Sequence, residues 1–253
     1  MLFLKLINEG LIYKAGAGES FIAMLLVGYT ISSIVSYLLG SVNTAIIVSR
    51  GLYKKDIRSY GSKNAGMTNM FRVFGKKAGI LTLLGDVLKA LIAVLISSLI
   101  VGRAFGGAHL GGFFCIFGHV FPLYYNFKGG KGVLVAAVTV LIIDPVVFLL
   151  LALVWGLMLW VTKIVSVASI TAAAMYPLIS IKFTSANSFF TTALFAVAIA
   201  AFIIVMHKDN ILRLKNGTEK RIGEKKEPEA EEKPKEKKRP RSLVDDGEDD
   251  DAQ

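Results

Sequence analysis

Long apolar runs broken by short polar punctuation dominate this chain. No residue between Glu19 and Arg50 is charged, and apolar stretches follow at about 78–101, 105–127, 132–143, 146–162, 164–181 and 187–206. Roughly 20 helical residues cross the hydrocarbon of a bilayer, so the pattern predicts an all-α integral membrane protein with seven transmembrane helices. The 132–143 stretch is short, roughly 18 Å at about 1.5 Å per residue. Asp144-Pro145 sets it apart from the next stretch, because proline disfavours helix at the residue before it.

Charge placement supports seven spans over six. With the N-terminus outside, the inner face receives the 50–77 loop, which carries eight Lys/Arg against one Asp. It also receives Lys128, Lys131, Lys163 and a cytoplasmic C-terminus, leaving only Lys5, Lys14, Arg103 and Lys182 outside. That asymmetry follows the positive-inside rule. Six spans would put the tail opposite the 50–77 loop. The expected organisation is a short interfacial segment over 1–19, a seven-helix domain over 20–221 and a charged cytoplasmic tail over 222–253. The tail is rich in Lys, Glu and Pro and has little to bury, so disorder is expected there.

Composition agrees: 54% of residues are hydrophobic and the mean hydropathy is positive. The net charge of +10 is uneven, since residues 208–253 carry 13 basic and 14 acidic side chains. The basic excess therefore belongs to the membrane part, and its placement does not suit nucleic acid. Cys115 is the only cysteine, which excludes a disulfide or a cysteine-based metal site.

Three polar stretches fall on one predicted face. DIRSYGSKNAGMTNMFR (56–72) offers Gly61 and Gly66 for a loose backbone, Ser62, Asn64, Thr68 and Asn69 for hydrogen bonds, and Arg72 as a planar fork of donors. Such a set suits phosphate oxygens, although a basic loop touching lipid headgroups has the same composition. NFKGGKGVLV (126–135) places Gly129, Gly130 and Gly132 around Lys131, beside Lys128, at a helix start. It is not a Walker A loop, since Tyr125 stands where a glycine is needed and Val133 where Ser/Thr would hold magnesium. Unpaired N–H groups at that helix start would attract an anion; snorkelling lysines are the plainer alternative. In HKDNILRLKNGTEKR (207–221), His207 and Asn210 share one helix face, an arrangement that is often only structural.

Absences narrow the chemistry. The first two polar stretches hold one carboxylate between them, Asp56, too few for a two-metal site. No HxxxxD pattern follows His109, His119 or His207, and no nucleophile–His–Asp set is evident. An enzyme built this way would orient an already activated substrate, with no metal and no cofactor. Asp86 and Lys89 lie one turn apart inside the second span and read as a structural ion pair, with a proton path as the alternative. An anion channel or organophosphate transporter would want similar loops, but with binding groups near the midplane. A non-catalytic scaffold would leave the three motifs unexplained.

These residues form a longer pattern. GSVNTAIIVSR (40–50), the 56–72 stretch, LGDVLKA (84–90), GHVFPLYYNFKGGKG (118–132), SVASITA (166–172) and HKDNILRLKNGTE (207–219) resemble, in order, the bacterial acyl-phosphate:glycerol-3-phosphate acyltransferase family (PlsY). The resemblance covers residues 24–221. It implies a cytoplasmic-membrane enzyme with seven helices and a cytoplasm-facing site. Such an enzyme moves an acyl group from acyl-phosphate to the sn-1 hydroxyl of glycerol 3-phosphate, opening phospholipid synthesis without acyl-CoA, carrier protein or metal. It also implies a loose association with the enzyme that supplies acyl-phosphate. By motif position it assigns essential roles to Ser62, Arg72, Lys131, His207 and Asn210. The phosphate loop falls on Lys128 to Gly132, a further serine on Ser169, and a residue kept for integrity on Glu219. The family pattern has glycine where Lys63 and Ala90 stand and alanine where Met67 stands, and its KGGKGVAT becomes KGGKGVLV with Leu134 and Val135.

Overall fold

The structure, a computed structural model, describes residues 2–15, 20–185 and 188–223. Its eleven α-helices are α1 (Leu2–Ala15), α2 (Phe21–Ser41), α3 (Thr44–Tyr53), α4 (Met67–Phe74), α5 (Lys76–Val101), α6 (Gly107–Val120), α7 (Val133–Ile143), α8 (Pro145–Thr162), α9 (Val165–Phe183), α10 (Phe189–Met206) and α11 (Lys208–Lys215). The described residues contain no strand. Among the described residues, five helical stretches are long and apolar enough to cross a membrane: Phe21–Tyr53, Lys76–Val101, Pro145–Thr162, Val165–Phe183 and Phe189–Met206. The expected spans at 105–127 and 132–143 are the shorter helices α6 (14 residues) and α7 (11 residues). The expectation for the tail beyond residue 223 lies outside the described residues.

Local chemistry accounts for the breaks. The first apolar run is interrupted at Val42, where Asn43 starts α3 by accepting the Ile46 N–H at 3.1 Å. Asp144 ends α7 and caps α8, its Oδ1 accepting from Val146 N and Val147 N, with Pro145 in the first turn, where its missing N–H costs nothing. The turn expected at Asp144-Pro145 is therefore present. At Gly10 the backbone leaves helical geometry (φ 82), so α1 is kinked.

Helix α2 lies against α6, α6 also packs on α5 and α7, and α9 is held between α8 and α10. The α2–α6 crossing is close: a Cβ on Gly40 would stand 2.2 Å from the Cys115 carbonyl oxygen, and one on Gly118 2.2 Å from that of Tyr37. Small residues permit such contact between membrane helices, where packing replaces the hydrophobic drive. Peripheral α8 turns Leu149, Leu153, Leu157 and Trp160 outward at helical spacing, and all four are exposed. A second, smaller core of Ala45, Ile46, Ile57, Ala65, Met70 and Ala78 lies beneath the first polar loop and anchors it.

Candidate functional site

One end of the bundle gathers the 61–72 segment, the start of α7, the start of α9 and the α10–α11 junction around a cavity of about 610 Å³. Of the residues singled out from the sequence, Ser62, Asn64, Gly66, Thr68, Asn69, Arg72, Asp86, Lys131, Gly132, Ser169, His207, Asn210 and Glu219 line it. Lys128, Gly129, Gly130 and Lys89 do not.

The first loop is braced from within. Asn69 is buried; its Oδ1 accepts the Ser62 N–H at 2.9 Å, and its Nδ2 donates to the carbonyls of Tyr60 and Asn64, each at 3.0 Å. Asn69 lines the cavity, and its amide shapes the loop that presents Ser62. Gly61 and Lys63 both have positive φ (59° and 58°). The glycine usual at position 63 in the resembled family is thus replaced in a left-handed conformation, which costs a side chain about 1–3 kcal/mol. Arg72 lines the cavity half-buried and has no hydrogen-bond or ion-pair partner among the described residues. Arg50 and Arg58, by contrast, pair with Asp56, each at 2.8 Å, and Arg58 holds that carboxyl well below the usual carboxylate range. Arg58 also donates to the carbonyls of Tyr125 and Lys128, tying the first loop to the glycine-rich one.

The glycine-rich loop differs from expectation. The Gly129 N–H donates to the Val120 carbonyl at 3.0 Å and the Gly130 N–H to that of His119 at 3.1 Å. These two donors are therefore not free for phosphate. Their glycine identity answers packing instead: a Cβ on Gly129 would lie 2.0 Å from the His119 carbonyl oxygen, and one on Gly130 2.1 Å from its Nε2. The free donors lie one step on. Gly132, at φ 79, starts α7, and the first-turn N–H groups of that helix have no intrahelical acceptor. Val133 and Leu134 of that turn line the cavity beside Lys131.

Lys131 donates to Asn210 Oδ1. Burial pushes its ammonium down to about 8, against the opposing pull of Glu219 and with further repulsion from Arg213 and Arg72. Asn210 Nδ2 donates to Glu219 Oε1 at 2.5 Å, Ser166 Oγ to the same oxygen at 2.7 Å, and Arg213 Nε to Oε2 at 2.6 Å. Burial raises the Glu219 carboxyl, but these three donors outweigh it and hold the group below its ordinary value. Glu219 thus joins α9 to α11. His207 is buried, and burial pushes its imidazole down to about 4. Its Nδ1 lies 2.8 Å from the Ile203 carbonyl, which only accepts, so the proton sits on Nδ1. Nε2 is left as an acceptor.

Ser169 Oγ accepts from Trp155 Nε1 at 3.2 Å. Sequence reasoning missed Trp155, Ser166 and Arg213; Ser166 lies in the same SVASITA segment as Ser169, but its partner Glu219 is 53 residues away. The Asp86–Lys89 pair, at 2.9 Å, has a third member in His119, whose Nδ1 lies 2.9 Å from Lys89 Nζ. Lys89 also donates to the carbonyls of Gly40 and Val42 at the end of α2. Below the polar mouth the cavity becomes apolar, walled by Phe148, Leu151, Ala173, Ile199 and Ile203 among others.

A family model described as glycerol-3-phosphate acyltransferase matches residues 30–217. The chain belongs to that family. A glycerol-3-phosphate acyltransferase of Clostridioides difficile is 38% identical over 208 residues, covering 81% of this chain and all of the relative. One from Paraburkholderia phymatum is 40% identical over 203 residues, covering 79% of this chain and 95% of the relative. Among solved structures the fold is similar to PlsY (YgiH), an integral membrane glycerol 3-phosphate acyltransferase. Its glycerol 3-phosphate form gives a TM-score of 0.68 at 36% identity, over 77% of this chain and 96% of that one. Its lysophosphatidic acid form gives 0.65 at 36% identity, over 77% and 95%. With five apolar stretches of spanning length, this member of the family is a multi-pass membrane protein.

Proposed function

We propose that the protein transfers a fatty acyl group from an acyl-phosphate to the sn-1 hydroxyl of glycerol 3-phosphate, yielding lysophosphatidate and phosphate. The observation that carries this reading is one cavity that is cationic and rich in donors at its mouth and apolar below. A donor with a charged head and a hydrocarbon chain matches both halves. The bilayer arrangement has seven spans, α6 and α7 included, with the N-terminus outside. It places the mouth beside the lysine- and arginine-rich 50–77 loop and hence in the cytoplasm of the bacterial cell membrane.

Two oxyanions have to be held together. The first-turn N–H groups of α7, with Ser62, Asn64 and Thr68 opposite, receive the acyl-phosphate head. Arg72, Lys131 and Asn210 receive glycerol 3-phosphate, with Ser169 nearby; each charge-assisted bond is worth about 1.5–3 kcal/mol. His207 Nε2 accepts a hydrogen bond from the attacking hydroxyl and orients it. The hydroxyl oxygen attacks the acyl carbon, the tetrahedral oxyanion collapses, and the bond to the phosphate oxygen breaks. The hydroxyl proton passes to the phosphate of glycerol 3-phosphate, whose second pKa of about 6 makes it a stronger base than His207 at about 4, and from there to the departing phosphate, which leaves as HPO4²⁻. Acyl-phosphate already carries a good leaving group, so alignment, worth roughly 7–11 kcal/mol, meets most of the remaining demand without a covalent intermediate.

Purified protein in detergent, supplied with both substrates, will release phosphate and lysophosphatidate in equal amounts; phosphate release without the acylated product would overturn the proposal. Arg72→Lys, which keeps the charge but loses the planar fork, is expected to raise the KM for glycerol 3-phosphate by about tenfold while kcat changes less. Steady-state kinetics with glycerol 3-phosphate varied will measure it, and an unchanged KM would reduce Arg72 to a headgroup contact.

A further inference from the structure

On each of four helices the apolar lining of the cavity ends seven or eight residues from a residue toward its polar end. Measured from the polar mouth, seven residues separate Val133 from Val140 on α7, Trp155 from Phe148 on α8 and Ser169 from Tyr176 on α9. Eight separate His207 from Ile199 on α10. At about 1.5 Å per residue, each path is about 10–12 Å long. Val140, Phe148, Tyr176 and Ile199 therefore form a floor.

What lies beneath this floor is polar. A second cavity, of about 390 Å³, shares Val140 and Tyr176 with the first and is lined beyond them by Arg103, His109, Asp144 and Thr192. The buried Nε2 of His109 has no hydrogen-bond partner there. A hydrocarbon end pushed past Tyr176 would have to desolvate these groups without bonding them, which is unfavourable.

We propose that Tyr176 and Val140 set the acyl-chain preference, by closing the well at a fixed distance from the reacting carbonyl. An extended chain advances about 1.2 Å per bond, so the well takes about eight to ten carbons. Carbons beyond that number leave the well sideways into lipid. This rests on the acyl-transfer reading and names the residues that give it chain selectivity.

The test compares kcat/KM of variant and wild type at each length in a series of saturated acyl-phosphates from four to sixteen carbons. Detergent partitioning is common to both proteins, so it cancels in the ratio. Ala173→Leu raises the floor by one helical turn. Its ratio is expected to stay near one at four carbons and to fall about tenfold by ten carbons, the result of overfilling a packed space. Tyr176→Ala deepens the well. Its ratio is expected to stay near one up to ten carbons and to rise beyond, where the vacated space takes up methylenes that the wild type turns out of the well. A variant that is only damaged loses activity equally at all lengths, so ratios that are flat with length in both variants would overturn the proposal. Absence of acyl transfer by the wild type at every length would sink the acyl-transfer reading instead.

Discussion

Lys131→Met is expected to lower kcat/KM by about 10²–10³-fold, while His207→Gln keeps it within about tenfold. The two residues sit at the same mouth but do different work. Lys131 carries the positive charge that a phosphate needs, held in place by Asn210. His207 is neutral, with its proton committed to Ile203, and offers one acceptor that a glutamine carbonyl can replace. The pH profile separates the roles further. Lys131 is protonated below about 8, so activity is present at neutral pH and is lost as pH rises through that value. On the acid side, kcat/KM reports the free reactants. A limb near about 6 belongs to the glycerol 3-phosphate dianion, whereas His207 acting as base would place it near about 4. An acid limb near 4 that vanishes in His207→Gln would make the histidine the base.

Much of this site was legible because its residue types have few other uses in an apolar chain. Glycines, asparagines and basic side chains clustered between greasy runs mark polar pockets at a membrane surface, and the length of those runs locates the helices. Long-range partners were not legible. Gly129 and Gly130 look like phosphate donors, and only the approach of α6 shows that their N–H groups are taken. The bracing of the first loop by Asn69 was not legible either, since its acceptors are loop carbonyls that no spacing rule identifies. The Asp86–Lys89 pair follows from an i, i+3 interval, but the addition of His119 depends on how α5 crosses α6. The break at Val42 carries no charge or proline to announce it. The well floor is further still from sequence, because it needs the register of four helices at once.

Glu219→Gln tests how the binding charge is maintained. Glu219 accepts from Ser166, Asn210 and Arg213 at once, and its negative charge opposes the burial that depresses Lys131. Glutamine keeps the shape and one carbonyl acceptor, but it turns an amide N–H₂ toward other donors. The lost bond to Arg213 costs about 1–3 kcal/mol. Removing the carboxylate also takes away the attraction that favours protonated Lys131, so the alkaline limb must move below about 8. Activity at pH 8.5 is then expected to fall by about tenfold for each unit of that movement, while at pH 6.5 the variant stays much closer to wild type. Kinetics across that range, with a melting curve of the same sample, distinguish the two contributions. A purely structural Glu219 would lower the melting temperature and depress activity by the same factor at every pH. A displaced alkaline limb shows that the carboxylate sets the charge state of the lysine that meets the phosphate.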